Sequence, residues 1–164
     1  MIRYARIDTA IGTLLATARD GRLTGLYFEG KPHAPRPAAD WKEEPDAKPF
    51  AECARQVAEY LAGKRDVFDL PLAPSGTDFQ ERVWRQIARI PPGERITYAE
   101  LARRAGAPGS ARAAGAATGR NPLSIVVPCH RVVGSGGSLT GYAGGIERKA
   151  RLLALEAGRA AIAA

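Results

Sequence analysis

Residues 121–133 read NPLSIVVPCHRVV: an apolar run, Leu123 to Val127, is cut by Pro128 and followed at once by Cys129, His130 and Arg131. The apolar run reads as a strand, and a proline ends regular pairing there. The thiol then stands where the chain leaves the core, a usual place for a reactive side chain. Cysteine is a nucleophile only as thiolate, and a neighbouring base or cation makes the thiolate available near neutral pH. A second reading fits the pair as well. Free cysteine is among the most buried residue types, so Cys129 could be structural and His130 unrelated to it. In a strand, moreover, adjacent side chains point to opposite faces. Cys129 and His130 can cooperate only if the backbone turns here or a water bridges them.

On the C-terminal side, residues 134–145 carry six glycines in twelve positions, which excludes a regular element and reads as a loop that lets backbone approach something closely. The loop lacks the lysine and spacing of a phosphate-binding P-loop. Ile146 to Ala157 follows as an amphipathic helix with Ile146, Ala150, Leu153 and Ala157 expected inward. Glu156 lies on its last turn, where the helix dipole disfavours an acid. It is either a solvated surface acid or the partner of something cationic.

On the N-terminal side, Thr77 or Asp78 can cap a helix to about Ile90, with Phe79, Val83, Ile87 and Ile90 as its buried face. Pro91-Pro92-Gly93 breaks it. Thr97 followed by Glu100 reads as a capping box for the next helix, which ends near Ala105-Gly106. Ser110 caps a further helix to about Thr118. Helix, short glycine-containing turn, helix is the helix-turn-helix pattern. The second helix, SARAAGAATG, offers Arg112 and otherwise small side chains. A helix that reads base sequence needs several long polar side chains. This one either docks closely on DNA without reading it, or packs tightly in the protein's own core.

The first half has a different character. Ile2 to Ile7, Gly12 to Ala18 and Arg22 to Phe28 read as strands, with Asp20-Gly21 as a hairpin turn. Lys31 to Pro49 reads as loop, Ala47 to Leu61 as an amphipathic helix ended by Gly63, and Val67 to Leu72 as a short strand. Cys53 falls on the helix's apolar stripe with Phe50, Val57, Tyr60 and Leu61, and so reads as core. Pro74-Ser75-Gly76 marks a division into residues 1–75, an α/β unit, and 76–164, the unit that holds Cys129.

Charge follows the same division. The 164-residue chain has a net charge of +7. Residues 1–75 hold 11 basic and 11 acidic side chains, whereas residues 76–164 hold 13 basic, 12 of them arginine, against 6 acidic. An arginine excess confined to one half suits phosphate contact and points to a polyanionic partner. No apolar run is long enough to span a membrane, and residues 1–6 read as neither signal nor transit peptide. Two cysteines give no disulfide framework, so the cytoplasm is the expected compartment. Cys53, Cys129, His33 and His130 show no metal-ligand spacing, so no metal is expected.

From Thr77-Asp-Phe-Gln80 to Glu156 the chain resembles the O6-alkylguanine-DNA alkyltransferases, or methylated-DNA–protein-cysteine methyltransferases. The resemblance runs through Pro92-Gly93, Thr97-Tyr98, Ala111-Arg112-Ala113, Gly119-Arg-Asn-Pro122, Pro128-Cys-His-Arg131, Gly141-Tyr-Ala-Gly-Gly145 and Arg148-Lys149. It implies an α+β protein: a small N-terminal antiparallel sheet with a helix, ribonuclease-H-like in outline, then a mainly helical part with a winged-helix-like helix-turn-helix. It implies that Cys129 accepts an alkyl group from O6-alkylguanine, with O4-alkylthymine as a further candidate substrate. His130 would be the base through a bridging water, Glu156 would orient it, and Asn121 would brace the site turn. Tyr98 would hydrogen-bond the flipped guanine. Thr97, Tyr98, Ala111, Arg112, Gly115 and Arg120 would face DNA in the minor groove, Arg112 filling the gap in the duplex. Val132, Tyr142, Ala143 and Lys149 would line the guanine pocket. Some members carry a hydroxyl residue where this chain has Ala143, so a contact there must come from backbone. Some bind zinc through N-terminal Cys and His; this chain has no cysteine before Cys53, and no metal or other cofactor is carried over. The resemblance implies double-stranded DNA as partner without strong sequence preference, and a monomer in solution. Two other readings remain, a non-catalytic helix-turn-helix regulator and a cysteine hydrolase; neither explains Cys129 and Arg112 together.

Overall fold

The structure, a computed structural model, describes residues 1–158. Strands β1 (Arg3–Thr9), β2 (Gly12–Arg19) and β3 (Arg22–Phe28) form an antiparallel meander. Asp20 and Gly21 both take positive φ, 51° and 77°, the twist a two-residue hairpin turn requires. A two-residue strand β4 (Lys42–Glu43) adds in parallel to β1, giving the sheet order β3-β2-β1-β4. Nothing in the Pro- and charge-rich segment 31–49 signals β4, because so short an edge strand has no alternation to read. Helix α1 (Lys48–Leu61) covers the sheet with Phe50, Cys53, Val57, Tyr60 and Leu61 buried, the expected stripe.

The second half is mainly helical: α2 (Asp78–Ala88), α3 (Tyr98–Arg104), α4 (Ala111–Gly119) and α5 (Ile146–Glu156). A two-stranded parallel ladder joins β5 (Ile96–Thr97) to β6 (Val132–Val133). Thr77 caps α2 in a full capping box with Gln80. One hydrophobic core runs through both halves, from Leu14 and Leu26 to Ile87, Leu101 and Leu152. Among the described residues, no helix is long and apolar enough to cross a membrane.

Several local expectations are corrected. Leu123–Val127 is not a strand. Leu123 makes a single bridge to Leu26, and the chain then turns with Ile125 at φ 72°. Its apolar side chains are buried because the turn itself is core. Val67–Leu72 likewise contributes one bridge, Leu72 to Leu23, since Pro71 has no N–H to extend a ladder. Thr97 accepts from the Glu100 N–H, but the Glu100 carboxylate serves Arg103 and Arg104 instead of closing a capping box. Ser110 stands at the N-cap of α4 with ψ 42°, outside the extended conformation that presents a capping oxygen, and makes no cap bond. Helix α5 is rotated from the expected phase. Lys149, Leu152, Leu153 and Leu155 are buried, while Ile146, Ala150 and Ala157 are exposed. Two polar residues seven apart, Lys149 and Glu156, face inward and set that phase.

Candidate active site

The segment that carries Cys129 is held on the sheet edge. The Leu26 N–H donates to the Pro122 carbonyl at 2.7 Å, and the Ser124 N–H donates back to the Leu26 carbonyl at 2.9 Å. Within the turn, the Asn121 side chain accepts from the Leu123 N–H (3.0 Å) and donates to the Val127 carbonyl (2.9 Å). Asn121 thus ties together both ends of the turn before Pro128.

Cys129, His130 and Arg131 form one 3-10 turn, all three buried. The strand geometry that would set Cys129 and His130 on opposite faces is therefore absent. In a three-residue turn successive side chains are about 120° apart, so they share a site without pointing the same way. His130 Nε2 lies 2.8 Å from Glu156 Oε2. Arg131 donates from Nε to Glu156 Oε1 at 2.8 Å and from Nη2 to Oε2 at 2.7 Å, and its remaining nitrogen donates to the Ile90 carbonyl. The Tyr60 hydroxyl donates to Glu156 Oε2 at 2.5 Å. The Glu156 side chain is only 3% exposed. Burial alone would push its carboxyl up, but hydrogen bonds from His130 and Arg131 outweigh burial and hold it far below the usual carboxylate range. Of the two readings of Glu156, the cationic partner is the correct one.

An ionised carboxylate only accepts, so His130 Nε2 carries the proton and Nδ1 is the free acceptor. Nδ1 is buried and has no hydrogen-bond partner among the described residues. Burial, against the pull of Glu156, lowers the pKa of His130 and keeps the ring neutral. Burial raises the Cys129 pKa, opposed by a hydrogen bond with Asn121 and the positive charge of Lys149. Cys129 is thus a thiol at rest, with a neutral base beside it in sequence and a cation near enough to favour its ionised form. Cys53 is different: burial pushes it up to about 12 with no opposing group, as expected of a core residue.

The β5–β6 ladder sets Thr97 opposite Val133 and so brings Tyr98, the first residue of α3, to the Cys129 turn. The Tyr98 hydroxyl donates to the carbonyls of Thr140 (3.0 Å) and Gly141 (3.3 Å). Lys149 Nζ donates to the same Thr140 carbonyl (3.0 Å) and lies 5.8 Å from the Tyr98 ring centroid. Val132 is fully buried, Tyr142 meets the His130 ring edge-on, and Ala143 is half-buried. Tyr98, Lys149 and Tyr142 thus meet beside the Cys129 turn, whereas Ala143 lines a crevice with Phe28, Gly119, Arg120 and Asn121. On α4, Ala114, Ala117 and Thr118 are buried, while Arg112, Ala113 and Ala116 are exposed, as is Arg120 at its end. The helix therefore packs one face and leaves open the face that carries Arg112. A Cβ added at Gly115 would lie 3.7 Å from the Tyr98 ring, so α4 also backs Tyr98. Ala111 is half-buried at the helix start.

Three residues make contacts that sequence does not signal, although Arg131 and Arg148 lie within the motifs of the resemblance. Tyr60 lies on an apolar helical stripe 70 residues from His130. Arg131 reads there only as a cation beside the thiol. Arg148 donates to the Ile11 and Gly144 carbonyls and stacks over Phe28, clamping the end of the glycine loop to the sheet. Among the described residues, no group of three or more His, Cys, Asp or Glu is placed to hold a metal.

Comparison with known proteins matches two descriptions in succession. Residues 2–74 match "6-O-methylguanine DNA methyltransferase, ribonuclease-like domain", and residues 78–158 match "6-O-methylguanine DNA methyltransferase, DNA binding domain". The chain is 48% identical to a methylated-DNA–protein-cysteine methyltransferase of Mycolicibacterium paratuberculosis, over 95% of this chain and 93% of that one. It is 48% identical to one of Methanosarcina barkeri, over 93% and 96%. A crystal structure of Mycobacterium tuberculosis OGT in complex with DNA superposes with a TM-score of 0.89 at 45% identity, covering 96% of this chain and 94% of that one. Motif order, fold and near full-length identity agree, and the chain belongs to the 6-O-methylguanine DNA methyltransferase family.

Proposed function

We propose that this protein repairs DNA by direct reversal, moving the alkyl group of O6-alkylguanine in duplex DNA irreversibly onto Cys129. The observation that carries the reading is the buried Cys129 beside the His130–Glu156 pair, with Tyr98 standing between this turn and helix α4, whose open face carries Arg112. His130 Nδ1, held free by the Nε2–Glu156 bond, takes the thiol proton through a water, and Lys149 stabilises the thiolate that forms. The sulfur attacks the alkyl carbon in line, the carbon–O6 bond breaks, and the electron pair leaves on guanine, which Tyr98 hydrogen-bonds. The thiol becomes a thioether. No second nucleophile regenerates it, so each protein acts once.

A base cannot react this way inside the stack. It must be flipped out at a cost of a few kcal/mol. Phosphate contacts from the arginine-rich half, with Arg112 in the vacated space, offset that cost. The small exposed residues of α4 permit close approach in the minor groove, and their lack of base-reading groups argues against a sequence-specific regulator. Thr97, Ala111, Gly115 and Arg120 flank the same face and are assigned to DNA contact; Val132, Tyr142 and Ala143 are assigned to the guanine pocket. Residues 1–75 then form a scaffold unit, and the unit from residue 76 carries the chemistry. O4-alkylthymine is assigned as a secondary substrate. The test is a titration of a duplex containing O6-methylguanine with increasing protein. Lesion loss that stops at one equivalent per protein supports the reading; continued turnover overturns it.

A further inference from the structure

Helix α1 belongs to the half of the chain that holds none of the residues assigned to chemistry, yet it delivers one hydroxyl into the site. Tyr60 is 2% exposed, and its oxygen lies 2.5 Å from Glu156 Oε2 and 3.4 Å from His130 Nε2. Oε2 is the same oxygen that pairs with the histidine. Because that carboxylate is ionised and only accepts, the phenol must donate to it. Oε2 thus receives three donors, from Tyr60, His130 and Arg131. Two of them come from the Cys129 turn and one from across the molecule. The Tyr60 ring is itself fixed by Phe68, at 5.3 Å between centroids, so the hydroxyl has a set position.

We propose that Tyr60 is a positioning residue, whose hydroxyl holds the Glu156 carboxylate and through it the ring orientation and tautomer of His130. The proposal rests on the assignment of His130 as base. It gives the N-terminal half a part in the chemistry beyond scaffolding. A phenol sharing Oε2 draws off part of the negative charge that His130 feels and fixes the carboxylate plane. Without it, Oε2 holds the Nε2 proton more tightly and His130 becomes more basic. The other charged or titratable groups around the ring are Arg131 and Cys129 on its own turn, Lys149 on α5 and Tyr142 from the glycine loop. None of them changes in the variants below.

The test compares full-length wild type with Tyr60→Phe and with 3-fluorotyrosine inserted at position 60. Both keep the ring, one deleting the donor and the other strengthening it. Two readouts are taken: the ring titration of His130 by NMR, simple to assign with only two histidines in the chain, and the pH dependence of single-turnover methyl transfer. The expected result is opposite displacement. Tyr60→Phe moves the His130 titration and the acid limb of transfer up by roughly half a unit or more, about a threefold change in neutral His130 at fixed pH. Fluorotyrosine moves both down. Curves that coincide with wild type in both proteins, or that shift in the same direction, overturn the proposal. If Tyr60→Phe fails to fold, the fluorotyrosine protein decides alone. Wild-type protein that transfers no methyl group refutes the proposed function instead, while the NMR titration still decides the role of Tyr60.

Discussion

Arg131 meets Glu156 side by side, Nε to Oε1 at 2.8 Å and Nη2 to Oε2 at 2.7 Å, with both side chains almost wholly out of water. A buried pair of this kind is costly to break from one side, because the survivor is left charged without a partner. Arg131→Met should therefore lose about 3–5 kcal/mol of stability in urea unfolding. The double variant Arg131→Met/Glu156→Gln should lose much less in total than the sum of the two single losses, since no unpaired charge then remains. Additive losses would mean that the two residues act separately.

Stability should fall in two stages as the solution is acidified. His130 has its pKa lowered from the ordinary 6.5 by burial, and Glu156 has its pKa lowered from 4.5 by the bonds from His130 and Arg131 that outweigh its burial. In both cases the unfolded chain binds the proton more readily than the folded one, so stability rises with pH across the interval between the folded and unfolded values. The stabilisation is complete above 6.5, begins to be lost below it as His130 is charged on unfolding, and is lost further below 4.5. Thermal unfolding followed from pH 8 to pH 3 checks this. A melting temperature that does not fall over the interval would contradict the network.

Arg112 is exposed on the open face of α4 with no described protein partner, so removing it should leave the fold intact. Arg112→Ala should slow methyl transfer from duplex DNA by about tenfold or more, in line with the few kcal/mol that extrusion of the base costs. The reaction with a free O6-alkylguanine base, which needs no extrusion, should stay within about twofold of wild type. Equal slowing of both reactions would place Arg112 in the reaction itself rather than in the duplex.

Gly144 is needed for space rather than for an unusual backbone angle. A Cβ there would lie 2.6 Å from the Phe28 ring and 2.7 Å from Tyr142. Gly144→Ala should destabilise by about 1–3 kcal/mol, as overpacking does, and displace Tyr142 from His130. The melting temperature reports the first effect and the His130 ring signals report the second.

The first three strands, α1 and the limits of α2 were legible because alternation, a Asp-Gly turn and a cap are local signals. The turn at Leu123–Val127 was not. Leu123 to Val127 is apolar enough for a strand, but its burial comes from a turn tied by Asn121 and bridged to Leu26, and neither contact lies nearby in sequence. The phase of α5 was misread for a related reason. Periodicity puts Lys and Glu outside, whereas Lys149 and Glu156 are the residues this helix turns inward, each with partners on other elements. Glu156 was recognisable as misplaced for its helix dipole, and that local conflict marked the residue that Arg131 pairs with. Tyr60 gave no such sign, because a tyrosine on an apolar stripe satisfies the pattern whatever its hydroxyl does.

Whether Cys129 is the alkyl acceptor is decided by the intact mass of the protein after incubation with a duplex carrying one O6-methylguanine. Wild type should gain one methyl group, about 14 Da, and Cys129→Ser none. Unchanged mass of the wild type while it still binds the duplex, or the same gain on Cys129→Ser, would contradict it.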